Sequence, residues 1–514
     1  MTSPAAGSPT PGPVTPGPVT PGSVTPGSAA TSASAATSAY EPLQVRYAPG
    51  RHTQVFVAST LYGTATLAAA LDAGLFPAAD RRILLLTNNA ANPETTPAVD
   101  AMAGFAQLRT RFDDVRDWNH AIRPLHPAAW EPRTEDVPLW ERHLRLLWGL
   151  GDDRLTLVVE SIQVSPARAL VQLFPDAALH VYADGLMSYG PTRNKLSYVG
   201  ARVERLLHPD LLPGVRPMLL TEFGVPPEIV PAEELKKVLA ELSAAADLDL
   251  PGEPGLPGER GPGESGPPAE GSSPALLLGQ YLSALKILTA AEEEELHVRM
   301  LRGVARLGHR DVVFKPHPMA PARVSRLLED EADGLGVTLT VLDTPVLAEV
   351  LYERLRPALV AGAFSTALMT ASTLYGLPVA SIGTDTLLER LTPYENSNRI
   401  PVTIADALLP SLDDPEAVRG WRAPTAVEAQ ATLGGLLTAV GFTMQPRIYA
   451  RRRPEVEQWL AAELDADTWR YFKRRRLTVE GLPGGVPKRL AFVPRSPAVR
   501  RVARRARALR RRLK

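Results

Sequence analysis

Residues 311–320 read DVVFKPHPMA: an apolar run, 312–314, leads straight into Lys315-Pro316-His317-Pro318. Proline fixes its own φ and holds the residue before it extended, so His317 is presented by a stiff backbone. An imidazole titrates near neutrality and can meet a phosphate as a cation or hand it a proton. Lys315 either adds a charge beside it or points to solvent. Two further His-Pro pairs, His126-Pro127 and His208-Pro209, follow no clear strand and read as turn pairs.

A second place with chemistry is Val181-Tyr182-Ala183-Asp184-Gly185. An aspartate at the carboxyl end of a strand, before a permissive glycine, is where α/β enzymes put acid–base groups; a plain turn aspartate has the same look. Ser188, Tyr189 and Gly190 extend this stretch as an open polar loop. A third place is Ser365-Thr366, where a strand hands over to a helix. Hydroxyls and free N–H groups at a helix start make an anion site, although N-capping asks for the same residues. No Walker A loop, no GxGxxG after a strand and no HExxH is present, and there is no cysteine to serve as nucleophile, disulfide or thiolate ligand. Asp247-Leu248-Asp249 and Asp465-Ala466-Asp467 imitate a metal-binding DxD but stand away from strand ends. His297, beside the acidic residues 292–295, reads as part of a solvated helix face.

The elements that must position these residues alternate between β and α patterns. Strands are expected at 54–58, 82–87, 155–160 and 179–182, with helices at 64–73, 137–149, 165–173 and 232–246. A second series has strands at 276–278, 312–314, 337–342, 358–360 and 379–382, with helices at 290–307, 321–331, 346–354 and 366–375. Continuous apolar strands separated by helices indicate parallel sheets covered on both faces. The expected fold is α/β, two Rossmann-like doubly wound domains facing a central cleft, with ligands at the carboxyl ends of the strands. Residues 358 to 382 carry no charge, long enough on paper to span a bilayer, but Gly362, Gly376 and Pro378 break them into strand, loop, helix and strand.

At 514 residues, 45% hydrophobic and 22% charged, the chain has the composition of a soluble protein of two domains with appendages. Residues 1–43 hold four TPG repeats and an Ala/Ser/Thr tract, and lack the basic start and apolar core of a signal peptide. The domains are expected at 44–250 and 274–445, joined by a Pro/Gly linker at 251–273 whose Gly triplets are too few for collagen. A helical, basic extension follows at 446–514. The net charge of zero hides an asymmetry: residues 497–514 carry nine Arg or Lys and no acid, leaving −9 on the rest. In that tail the apolar residues at 499, 502, 506, 509 and 513 form one helical stripe. Arg500, Arg501, Arg504, Arg505, Leu509 and Arg511 would meet an anionic membrane surface, unless the tail only aids solubility or binds polyanions.

Taken in order, Ala183-Asp184-Gly185, His317-Pro318 and Ser365-Thr366 resemble the D/E-D-G, HP and Ser/Thr motifs of bacterial sialyltransferases, most closely the alpha-2,8-polysialyltransferase family. LLLGQYL at 276–282 resembles the opening of that family's second domain, and the resemblance spans roughly residues 50–445. It departs at Ala183, where the family has an acid. The resemblance implies a GT-B fold and a metal-independent, inverting transfer of sialic acid from CMP-sialic acid, without a cofactor, to an anionic or lipid-linked glycan in capsule or surface polysaccharide synthesis. Asp184 would be the base and His317 the group on the departing phosphate. Lys315, Pro318, Ser365, Thr366, Gly185, Ser188 and Tyr189 would bind substrate. It also implies a cytoplasmic protein, peripheral on the inner face of the plasma membrane, with no specific nucleic-acid partner. Rival readings are another cytidine-nucleotide transferase, for Kdo or a polyol phosphate, and a non-catalytic glycan- or nucleotide-binding relative.

Overall fold

The computed structural model describes residues 50–193, 197–246, 273–317 and 322–486. The TPG repeats, the linker up to residue 272, Asp247-Leu248-Asp249, Pro318 and the stripe of Arg500, Arg501, Arg504, Arg505, Leu509 and Arg511 lie outside these residues. The described residues fall in one compact unit.

Within it stand two sheets. The first comprises β1 (His52–Ala58), β2 (Arg81–Leu86), β3 (Asp114–Asp117), β4 (Arg154–Val159), β5 (Ala178–Tyr182), β6 (Val203–Pro209) and β7 (Pro227–Val230). Their order is β3-β2-β1-β4-β5-β6-β7, and every pairing is parallel. The second comprises β8 (Ala275–Leu278), β9 (Asp311–Lys315), β10 (Thr338–Val341), β11 (Leu359–Gly362) and β12 (Val379–Ser381), in the parallel order β10-β9-β8-β11-β12. Two doubly wound parallel sheets are the GT-B architecture expected from the sequence.

The central strands are almost wholly buried, as both faces of a parallel sheet must be covered, and β1 buries Thr53 and Gln54 along with its apolar residues. The first sheet holds three strands that the sequence reading did not separate. β3 reads DVRD and is half-exposed at one edge, and β7 at the other edge begins with a proline. β6 carries Glu204 and Arg205 and ends in His208-Pro209, so that His-Pro pair is strand and not turn. His208 is buried against the edge of Tyr189.

In each sheet the strand order reverses direction between two central strands, β1 and β4 in the first and β8 and β11 in the second. Such a switch point opens a crevice at the carboxyl ends of the strands, where ligands of doubly wound folds bind. The uncharged stretch 358 to 382 is β11, helix Thr366–Tyr375 and β12. Gly376, at φ 65°, closes that helix in the left-handed conformation that favours glycine. No helix among the described residues is long and apolar enough to cross a membrane.

Past the second sheet the chain returns to the first. Tyr449 Oη accepts a hydrogen bond from Thr192 N at 3.0 Å and lies 2.9 Å from Glu222 Oε2 and 3.2 Å from the Met218 carbonyl. Buried residues of both sheets, such as Phe56 and Leu277, and of the later helix Ala426–Met444, such as Val440, belong to one continuous apolar cluster.

Candidate active site

Three loops meet at the carboxyl edge of the first sheet. β1 ends at Ala58 and is followed by Ser59 and Thr60, and Thr60 caps helix Leu61–Asp72 by accepting from Gly63 N at 2.8 Å. β4 is followed by Glu160, and β5 by Ala183 and Asp184. Glu160 is heavily hydrogen-bonded: Ser59 N–H and Ser59 Oγ each donate to Oε1 at 2.7 Å. The Tyr182 hydroxyl stands 3.1 Å from Oε1 and 2.9 Å from the Val57 carbonyl.

Asp184 has fewer donors, the Thr60 hydroxyl at 3.4 Å from Oδ2 being a long contact. Its carboxyl is pushed up to about 7, first by loss of water and then by the negative charge of Glu160. Burial raises Glu160 too, while the bonds from Ser59 and Tyr182 favour its charged form. Gly63 makes the close approach possible: a Cβ there would stand 2.9 Å from Thr60 Oγ1, 3.1 Å from Tyr182 Oη and 3.2 Å from Asp184 Oδ2.

Ala183 faces the other way and packs against the apolar layer on the opposite side of the sheet. The expectation of an open polar loop at 188–190 is corrected. Leu186–Tyr189 is a turn of 3-10 helix in which Ser188 and Tyr189 are buried. Ser188 Oγ donates to the Gly185 carbonyl at 3.0 Å, and Tyr189 Oη accepts from Leu212 N at 3.1 Å. The Ser188 hydroxyl thus holds the Gly185 backbone from inside, and that of Tyr189 holds Leu212.

At the edge of the second sheet, β9 delivers Lys315, Pro316 and His317. The His317 ring stacks on Tyr281, with centroids 5.4 Å apart and planes 10° from parallel. Gly279 lets this loop come close: a Cβ there would be 3.0 Å from Phe314 Cζ, 3.1 Å from Pro316 Cα and 3.2 Å from His317 N. Loss of water, then the nearby Lys315, holds His317 below the usual histidine range. Burial likewise lowers Lys315, with Glu349 acting against it. Contrary to the sequence reading, His297 is buried, edge-on to Phe314 and accepting from Gln280 N at 3.4 Å. The neighbouring Glu293 accepts from Leu282 N and Ser283 N and so fixes the turn that carries Tyr281.

Ser365 caps helix Thr366–Tyr375, its Oγ accepting from Ala367 N at 3.2 Å. Gln280 Oε1 holds Phe364 N at 2.9 Å across the switch point of the second sheet. Thr366 reaches the other half of the site: its Oγ1 accepts from Leu186 N at 3.4 Å and would stand 3.1 Å from a Cβ on Gly185. The Asp184–Gly185 turn and the Ser365–Thr366 helix start, far apart in sequence, are therefore adjacent in space.

Sequence reasoning missed Glu160, Ser59, Thr60 and Gly63. The first three end strands at the switch point, the same signal that picked out Asp184, and could have been found by it. Gly63 shows itself only in three dimensions. A cavity of about 570 Å³ opens along the same edge, at the ends of β2 and β3, lined among others by Asn88, Arg116, Asn119, Arg123 and His126. His126 sits in a loop, as expected, with Nε2 3.0 Å from the Ala90 carbonyl. Asp465 accepts from Asp467 N and Thr468 N in a local turn. Among the described residues no three His, Asp or Glu side chains are grouped to hold a metal ion.

The sequence model of one family, described as Alpha-2,8-polysialyltransferase, matches residues 54–384. No curated protein matches. Among solved structures, a 2,6-sialyltransferase from Vibrionaceae Photobacterium sp., solved with donor product CMP and acceptor substrate lactose, is 13% identical at a TM-score of 0.38; the match covers 68% of this chain and 74% of that one. A sialyltransferase from Photobacterium damsela is 12% identical at 0.34, covering 73% and 80%. MurG from Acinetobacter baumannii is 11% identical at 0.36, covering 72% and 88%. At such scores these likenesses carry no argument beside the family match.

Proposed function

The chain belongs to the alpha-2,8-polysialyltransferase family, and from that premise we propose that this sialyltransferase-type glycosyltransferase moves sialic acid from CMP-sialic acid to a glycan hydroxyl with inversion and without a metal ion. The acceptor oxygen attacks the anomeric carbon as its proton passes to Asp184. The bond from that carbon to the phosphate oxygen of CMP breaks, and its electron pair leaves with the phosphate. His317 donates a hydrogen bond or a proton to that phosphate, while the N–H groups and hydroxyls at Ser365 and Thr366 hold its other oxygens. The leaving group is CMP, a phosphate monoester, with less charge to neutralise than a nucleoside diphosphate, so a histidine, hydroxyls and a helix start are suited to it. Direct attack from the face opposite the phosphate inverts the anomeric centre.

The observation that carries this reading is the junction of Leu186 N with Thr366 Oγ1, which sets the turn bearing Asp184 against a helix start suited to phosphate. The carboxyl pushed to about 7 adds support, since a base works best with a pKa near the operating pH. The cavity at the ends of β2 and β3 offers room of the usual ligand-site size for an acceptor glycan near this edge. The basic C-terminal stripe would keep the enzyme at an anionic membrane surface where lipid-linked acceptors lie.

The test is CMP release from CMP-sialic acid by purified protein, with an oligosialic acceptor and EDTA, and the anomeric configuration of the product read by NMR. Acceptor-dependent release unaffected by EDTA, with an inverted linkage, is the expected result. Release only from another cytidine-activated donor would overturn the donor assignment, and loss of activity in EDTA would overturn metal independence.

A further inference from the structure

We propose that Glu160, on the strand beside that of Asp184, is a positioning residue that keeps a negative charge next to Asp184 and so sets how strongly Asp184 attracts the acceptor proton. This rests on the reading of Asp184 as the base. The Ala183 side chain packs in the apolar layer on the far face of the sheet and takes no part in the site. The site contains two carboxylates, because β4 and β5 pair in parallel with Val159 opposite Val181, which brings Glu160 beside the end of β5.

The two carboxyls have unequal surroundings. Glu160 receives the Ser59 N–H and hydroxyl at 2.7 Å and shares the Tyr182 proton at 3.1 Å. Three donors aimed at one carboxylate favour its ionised form. Asp184 has the Thr60 hydroxyl at 3.4 Å, and Thr60 Oγ1 already accepts from Gly63 N. Of the pair, Glu160 therefore loses its proton first, and Asp184 must ionise beside an existing charge. Environments that drive two neighbouring carboxyls apart are how one site obtains a spectator charge and a working base. The groups facing the pair are consistent with this. Tyr182 from β5 and Tyr62 from helix Leu61–Asp72 are phenols kept neutral by burial, Glu349 acts on Tyr62 from the side of the second sheet, and Thr366 offers a neutral hydroxyl.

The experiment is the pH profile of kcat/KM for acceptor-dependent CMP release by the wild type, Glu160→Gln and Ser59→Ala. Glutamine keeps an oxygen for Ser59 but carries no charge. The acid limb of Glu160→Gln is expected to move down by roughly one pH unit, with a several-fold lower plateau because a weaker base remains. Ser59→Ala, which only weakens the hold on the Glu160 charge, is expected to shift the limb the same way by less. A uniform loss of rate with an unmoved limb, in Glu160→Gln or, should that variant not fold, in Ser59→Ala, would overturn the inference and leave Glu160 a structural residue. An Asp184→Asn enzyme with wild-type turnover would overturn the base assignment and this inference with it; an unmoved limb in an enzyme that needs Asp184 overturns this inference alone.

Discussion

Asp184 binds its proton more tightly in the folded protein than in the unfolded chain: its carboxyl rises from 3.8 to about 7 as water is lost and Glu160 comes near. Between those values the native state holds more protons than the unfolded state, so stability falls as pH rises through the window. Asp184→Asn removes the charge that causes this. The variant should melt higher than the wild type at pH 8, by roughly 2 °C or more, and the gain should vanish toward pH 4. A gain independent of pH in thermal melts would show that Asp184 is not the strained group. Asp184 was legible from the sequence because it follows an apolar strand and precedes glycine. Glu160 ends an apolar strand just as plainly, but its meaning depends on which strands are neighbours, and VYADG and LTLVVE lie apart in the sequence without stating it.

His317 depends on its loop, and the loop depends on Gly279. The Lys315-Pro316-His317 turn passes so close to β8 that a methyl group at Gly279 would meet Pro316 Cα at 3.1 Å and His317 N at 3.2 Å, both rigid backbone atoms. Gly279→Ala should push the loop outward and weaken CMP binding by about tenfold in titration calorimetry, with the fold intact by circular dichroism. Unchanged affinity would mean that the loop does not hold the nucleotide. Most elements were legible because aliphatic strands such as RILLL and ALLL stand out against amphipathic helices. β3 and β7 were not, because an edge strand tolerates the charged residues and prolines that ordinarily mark loops, and β6 was not, because Glu204, Arg205 and its terminal His208-Pro209 hide a mostly buried strand. Ser188 and Tyr189 look like loop residues for a similar reason: their polar groups are satisfied inside, by the Gly185 carbonyl and Leu212 N.

In the whole molecule the two sheets share one apolar cluster, and the chain after the second sheet ties back to the first through Tyr449. Tyr449→Phe leaves the buried Thr192 N–H without this acceptor and should cost about 1–3 kcal/mol, measured by urea denaturation, with CMP affinity nearly unchanged because the Tyr449 hydroxyl bonds Thr192, Met218 and Glu222 and not the loops that carry His317 and Thr366. A fall in CMP affinity matching the loss of stability would mean that the tie also sets the site. Sequence alone conveyed the two-sheet plan but not this return, since a single tyrosine in a polar stretch has no pattern to betray its partner. The central claim is that Asp184 and His317 act on opposite ends of one transfer. It is tested most directly by following acceptor-dependent CMP release and CMP-sugar binding together in Asp184→Asn and His317→Ala. Asp184→Asn should bind the donor normally and lose roughly 10²–10⁴-fold in kcat, while His317→Ala should lose turnover and nucleotide affinity together. Wild-type turnover in either variant would contradict it.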